Sequence, residues 1–189
     1  MDRTIVYPGS IPLDSDVLSA NRNAMIAIGA LAQATLGSNV VADGLACEPT
    51  VPASMSVTVG PGTLTSYGPV DATPYGSLPA DTTESIVKMG VNLDSTQFTL
   101  TAPSGTGQAI NYLIEASFIE TDTTPVVLSY YNAANPSQPY SGPNNAGSAQ
   151  NTVRVQQVQL RLVAGPPGVA NFQVTPTPDA GWVGLYVIT

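Results

Sequence analysis

Seventeen prolines and seventeen glycines punctuate this chain of 189 residues, so regular structure survives mostly in short pieces. Proline removes a backbone donor and fixes φ, and glycine weakens any element interior. Short strands joined by turns tolerate this, whereas long helices do not. The exception is residues 14–36, which hold no proline and one glycine, Gly29. The spacing predicts the one clear helix there. Asp14, Ser15 or Asp16 would cap its start and suit the helix dipole. Gly37 would end it as the left-handed residue. Val17, Ala24 and Leu31 recur every seven residues, and Leu18, Met25 and Ile28 widen the stripe. Asn21, Arg22 and Asn23 form a polar band in the first third. The apolar face is wide enough for burial, but a helix of this length does not establish a coiled coil by pattern alone.

Beyond Ser38 the texture turns to β. Met55, Val57 and Val59 alternate with Ser56, Thr58 and Gly60, and Gly60-Pro61-Gly62 leads into Thr63-Leu64-Thr65, which reads as a hairpin. Further strands are expected over 84–93, 98–100 and 109–120. In the last, Ile110, Tyr112, Ile114, Ala116 and Phe118 share one face, and Leu113 and Ile119 mix with Asn111, Glu115 and Ser117 on the other. Such half-covering of a second face fits a sandwich or an interface. In 152–163, Val153 and Val155 are odd while Val158, Leu160 and Leu162 are even, which predicts a β-bulge near Gln156-Gln157. Residues 182–189 read as a strand that the sequence leaves abruptly, so a longer parent chain is expected. About nine strands with frequent turns indicate a mainly β fold, an antiparallel β-sandwich preceded by an extended N-terminal arm and one α-helix. The division expected is 1–37 for the arm and helix, serving attachment and oligomerisation, and 38–189 for the β-sandwich domain.

Composition narrows the function. Apolar residues make up 43% of the chain, enough for a core, but charged residues make up only 10%, against ~25% in ordinary soluble domains. Surfaces of Ser, Thr, Asn and Gln repel their copies weakly and suit permanent assembly. The net charge is -8, and the five bases Arg3, Arg22, Lys88, Arg154 and Arg161 are scattered. Neutralising phosphates needs clustered bases, so nucleic acid is not an expected partner. Acidity also argues against an anionic membrane surface, and no apolar run has the length of a membrane span. With no signal-peptide pattern at the N-terminus, synthesis in the cytoplasm is expected. The single cysteine, Cys47, forms no intrachain disulfide and reads as a small buried hydrophobe.

The chain has no histidine. Ser-His-Asp and Cys-His catalysis and the common zinc sets therefore have no basis, and no metal or cofactor is expected. A glycosidase needs two carboxylates facing across a cleft. Glu84, Asp94, Glu115, Glu120 and Asp122 are the candidates. The odd separation of Glu115 and Glu120 along one strand points them to opposite faces. Asp14-Ser15-Asp16 lacks the other ligands of a calcium loop.

Three regions read instead as contact surfaces. The arm carries Ile5, Val6, Tyr7, Ile11 and Leu13, too apolar for a free tail; its own core and a neighbouring subunit are equally good partners. The helix offers Val17, Ala24, Ile28 and Leu31. After Leu128, about 20 residues pass without Val, Ile or Leu, longer than most loops in compact domains. Tyr130, Tyr131 and Tyr140, with Pro136 and Pro139, suit an interface, the alternative being a self-packed loop. Trp182 completes the set.

Several segments together resemble the N-terminal virion-attachment module of tail-fibre and baseplate-associated proteins of tailed bacteriophages and prophages. They are RTIVYPGSIPLDSDVLSANRNAMIAIGALAQATLG (3–37), VTVGPGTLTS (57–66), INYLIEASF (110–118), SYYNAANPSQPYSGPNNAGSAQNTVR (129–154) and PDAGWVGLYVIT (178–189). The run from 129 to 154 is the most specific. The resemblance implies a non-catalytic virion protein of the phage tail, a homotrimer anchoring a fibre to the tail tip or baseplate. Partners would be copies of itself and other tail proteins. The host surface would be reached through a longer parent chain. An alternative from the residues alone is a receptor- or glycan-binding module in which Trp182 and the tyrosines stack on sugars. Deleting residues 134–148 is expected to weaken the oligomer; an unchanged molar mass by light scattering would refute an interface there.

Overall fold

The computed structural model describes residues 2–189. Helix α1 (Asp14–Leu36) comes first and thirteen strands follow. The early strands are β1 (Ala42–Gly44), β2 (Cys47–Pro49), β3 (Ser56–Val59), β4 (Gly62–Asp71), β5 (Asp81–Asn92) and β6 (Thr96–Thr99). Next come β7 (Gln108–Ala109), β8 (Tyr112–Val126), β9 (Ser129–Tyr130) and β10 (Tyr140–Ser141). The chain ends with β11 (Gln150–Ala164), β12 (Gly168–Val169) and β13 (Val183–Ile188). Every pairing is antiparallel: three-stranded sheets β1-β4-β5, β2-β3-β6 and β11-β8-β13, with the two-stranded ribbons β9-β10 and β7-β12. The mainly β reading with one helix therefore holds.

One apolar core joins the three larger sheets. Leu45, Val59 of β3, Leu64 of β4, Ile114 and Ala116 of β8, and Val158 of β11 are buried together. Phe98, Phe118, Leu160, Leu162 and Leu185 pack against them. Cys47 is half-buried at the margin of this core, where desolvation raises its thiol pKa. The two-sided burial expected for the central strand is found. The even-numbered side chains of β8 enter the core. On its other face Asn111, just before β8, donates to Thr175 at 2.7 Å, and Ser117 donates to the Gly181 carbonyl at 2.9 Å.

Three local expectations are corrected. The segments 56–59 and 62–71 do not form a hairpin with each other. β3 pairs with β2 and β6, while β4 pairs with β1 and β5. The Leu45-Ala46 connection separates them, since Leu45 N–H donates to the Pro61 carbonyl and Gly60 N–H to the Ala46 carbonyl. No bulge interrupts β11 at Gln156-Gln157, where register against β8 is continuous (Gln156 opposite Glu120, Gln157 opposite Ile119). Register shifts fall instead between Gly184 and Tyr186 and between Pro69 and Asp71. The helix is not capped from Asp14, Ser15 or Asp16 as first residue. Its N-cap is Leu13, whose N–H donates at 2.9 Å to the Asp16 carboxylate inside the first turn. Gly37 ends the helix with φ +72°, and its N–H donates to the Gln33 carbonyl at 2.9 Å.

Helix α1 lies on β5. Its closest approach is Gly29, the one fully buried helix residue, where an added Cβ would stand 2.8 Å from the Val87 carbonyl oxygen and 2.9 Å from Ile86 Cβ. Glycine is needed here for space, not for backbone freedom. Gly29→Val is expected to destabilise the protein by about 1–3 kcal/mol through overpacking, despite the better helix propensity of valine. Urea denaturation measures this; undiminished stability would mean the helix does not seat on β5.

Candidate functional site

The side that the helix buries and the side that it leaves bare are set by one group of charges. On β8 and β11 the inward phase continues past the apolar core. Beyond Ile114, Ala116 and Phe118 it carries Glu120 and Asp122, and opposite them Gln156 and Arg154 replace the valine and leucines. Asp71, at the end of β4, lies almost fully buried beside them. Arg154 donates to both Asp122 oxygens at 2.6 and 2.9 Å, to Asp71 at 2.9 Å, and to the Thr73 and Pro74 carbonyls at 3.2 and 2.7 Å. Arg22 of the helix donates to the other Asp71 oxygen at 2.7 Å and to the Pro79 carbonyl at 2.7 Å. Lys88 of β5 grips both Glu120 oxygens at 2.9 Å, and the Gln156 amide adds a bond to Glu120 at 2.7 Å.

Three bases thus face three carboxylates side by side, Arg22 and Arg154 with Asp71 and Asp122, and Lys88 with Glu120 next to them along β8 and β11. Burial of charge is tolerated because every member is paired and hydrogen-bonded. Next to it a cavity of about 370 Å³ opens between helix and sheet, lined by Asn21, Arg22, Met25, Asp71, Tyr75, Arg154 and Gln156. Tyr75 holds its ring face to the Arg154 guanidinium, 5.3 Å from the centroid. The charges around this space already answer one another.

A second ionic group lies on the far face of β8. Glu115, with no solvent exposure, pairs with Arg161 and accepts the Asp179 N–H at 3.1 Å. Arg161 also pairs with Asp179 and stacks over the Trp182 ring, 4.0 Å from its centroid. Trp182 therefore has an intramolecular partner over one ring face. Glu115 and Glu120 sit in separate ion pairs on opposite faces of β8. Of the five bases, four enter these two groups; among the described residues Arg3 has no ion pair.

The predicted contact residues mostly stand outside this polar interior. Ile5, Val6, Tyr7, Ile11 and Leu13 of the arm are exposed, Ile11 at 87%. Among the described residues the arm is tied by little more than Thr4 reaching the Asp16 carbonyl and a turn between Tyr7 and Ser10. On the helix, Val17, Ala24, Ile28 and Leu31 are all exposed, the last two at 68% and 67%. Arg22, Met25 and Gly29 form the side turned to the sheet. The structure thus splits the apolar stripe of the sequence into a seated face and a bare one.

The long loop is hydrogen-bonded to itself. β9 pairs with β10, Gly142 N–H donates to the Leu128 carbonyl, and Asn132 and Asn145 side chains close local turns. The Tyr130 hydroxyl donates to Gln150. Pro136, Pro139 and Tyr140 are exposed, as is Tyr131 at 77%. The backbone is satisfied internally and the side chains face outward.

The ionic network was absent from the sequence reading. Its signal was the break in alternation in β11, where Arg154 and Gln156 keep the inward phase that Val158, Leu160 and Leu162 continue.

No family model, no curated protein and no solved structure matches this chain.

Two outcomes test the network. Asp71→Ala leaves two guanidinium groups facing a void and is expected to cost about 3–5 kcal/mol, measured by chemical denaturation. The Arg154 hydrogen bonds hold the Asp122 carboxyl below its ordinary 3.8. Its folded value is lower than its unfolded one, so its contribution is complete above pH 3.8 and is lost as pH falls through the folded value. Asp122→Asn is therefore expected to melt below wild type at neutral pH, with the gap closing under acid. A pH-independent gap would show that Asp122 titration does not contribute.

Proposed function

We propose that this chain is a structural component of a bacteriophage tail, the N-terminal module that anchors a tail fibre to the tail tip or baseplate as a homotrimer, without catalysis. The observation that carries the reading is the contrast between interior and exterior. Arginines and carboxylates are turned inward and paired, while Ile5, Tyr7, Ile11, Val17, Ile28 and Leu31 are turned outward. Large apolar side chains bared together along an arm and one helix face suit a chain built for permanent assembly, which covers them with its neighbours. The resemblance of residues 3–37 and 129–154 to fibre-attachment modules supplies the identity of those neighbours: copies of the chain around a common axis, and tail proteins against the arm. Host recognition would belong to other parts of the fibre.

The test has two arms. Light scattering on the purified chain is expected to give three times the mass of one copy. Antibodies to the chain are expected to label the tails of particles induced from the source strain. A monomer at micromolar concentration together with unlabelled particles would overturn the proposal and favour a receptor- or glycan-binding module.

A further inference from the structure

The bare side of α1 has a repeat of its own. Val17, Asn21, Ala24, Ile28, Leu31 and Thr35 are all exposed and follow one another at intervals of four, three, four, three and four residues. That is the 3.5-residue period of a coiled-coil seam. In heptad terms Val17, Ala24 and Leu31 take one core position and Asn21, Ile28 and Thr35 the other. The seated face, Arg22, Met25 and Gly29, lies on a different side of the helix, so seating on β5 leaves the seam exposed, with Asn21 at the border where it also lines the helix–sheet cavity. Ala20, Ala27 and Ala34 flank the seam at every heptad and permit close approach of another helix.

From these positions we infer that α1 associates in parallel and in register with α1 of other copies of this chain, and that Asn21 is the residue that fixes the register. Three observations select a copy as the occupant. A 3.5-residue repeat interlocks with an identical repeat, because each knob finds the hole that its counterpart leaves. The chain is acidic overall, yet no residue from Asn23 to Ala42 carries a charge. Copies therefore approach along this segment without repulsion, and it offers a charged partner nothing to pair with. Finally, Asn21 places an amide in a seam whose one other polar member, Thr35, bonds its hydroxyl to the Leu31 and Ala32 carbonyls of its own helix. A lone asparagine there loses its water on association unless it meets another amide at the same level, which an in-register copy provides.

The proposed function supplies only the number of copies; the seam rests on the exposed repeat. The full-length chain carries the test. Leu31→Glu changes an exposed side chain, so it is expected to keep its circular-dichroism spectrum but lose the oligomer in light scattering. Asn21→Leu is expected to stay associated but spread over more than one mass. Val17→Cys, far from the helix centre, in a Cys47→Ser background is expected to form interchain disulfides with itself under mild copper-phenanthroline oxidation, which a parallel, in-register seam allows and an antiparallel pair crossing at the helix centre does not. A Leu31→Glu protein that keeps the wild-type mass overturns the seam and leaves the fibre reading standing. Failure of the Val17→Cys protein to cross-link while it remains oligomeric also overturns the seam. A wild-type dimer that passes all three variants upholds the seam and ends the trimeric reading. A monomeric wild type overturns both.

Discussion

A single carboxylate, Asp71, holds two arginines from distant parts of the chain, and the placement of the helix follows from it. Arg22 comes from α1 and Arg154 from β11, and each takes one oxygen of Asp71. A buried ion pair is a weak source of net stability, because desolvation offsets the attraction. Its strength is directional. With Arg22 committed to Asp71 and Gly29 pressed on β5, the rotation of the helix about its axis is fixed. Val17, Ala24, Ile28 and Leu31 then have no direction left but outward. Apolar packing alone would not decide this, since the helix carries apolar residues on both sides and either would sit on a sheet.

The same commitment shapes the surface. Four of five bases lie inside ion-pair groups with Asp71, Glu115, Glu120, Asp122 and Asp179. The remaining acids face solvent with Arg3 as the one other base. The exterior is thus acidic over much of the sheets and neutral along the helix beyond Arg22. Like-charged bodies that associate do so through the region with least repulsion, and here that region also bares Ile28 and Leu31. Interior electrostatics and exterior apolarity are two results of one distribution of charge.

What could be read beforehand follows physical range. The helix limits were legible because residues 14–36 hold no proline and Gly37 follows them, and the strands were legible because alternation is a local signal. Strand partners were not. Met55–Thr65 carries the marks of a hairpin, but its two halves join different sheets because the partners β2, β6, β1 and β5 lie elsewhere in the sequence. The bulge expected in β11 shows a subtler limit. Alternation was judged by apolar residues, and the inward face of β11 turns ionic halfway along. Arg154 and Gln156 kept the phase while looking like a break in it. The network itself joins residues 49 and 83 positions apart, and no local pattern reveals that. The contact surfaces were legible as composition; which helix face remained bare was not, because Arg22 decides it through Asp71.

The three exposed regions are not equivalent as assembly surfaces. The loop between β9 and β11 satisfies its own backbone through paired strands, Asn turns and the bond from Tyr130 to Gln150. It is already ordered, so contact through Tyr131 would require little further loss of entropy, and it would add area without changing shape. The arm is the opposite case. Its backbone has almost no partners within the chain, and fixing an extended residue costs about 1–2 kcal/mol. Docking Ile5 through Leu13 must therefore offset a substantial ordering cost with apolar burial and new backbone hydrogen bonds. The helix stands between these extremes, rigid and bare at once. In the proposed assembly, association that starts on the helix would bring neighbouring arms together near Asp14, where the arms and helices meet, and raise their local concentration. The arm would then order on a surface that the helices have already built. On this physical ordering the helix seam would nucleate the proposed assembly and the arm would secure it, with the loop adding contact area at the periphery.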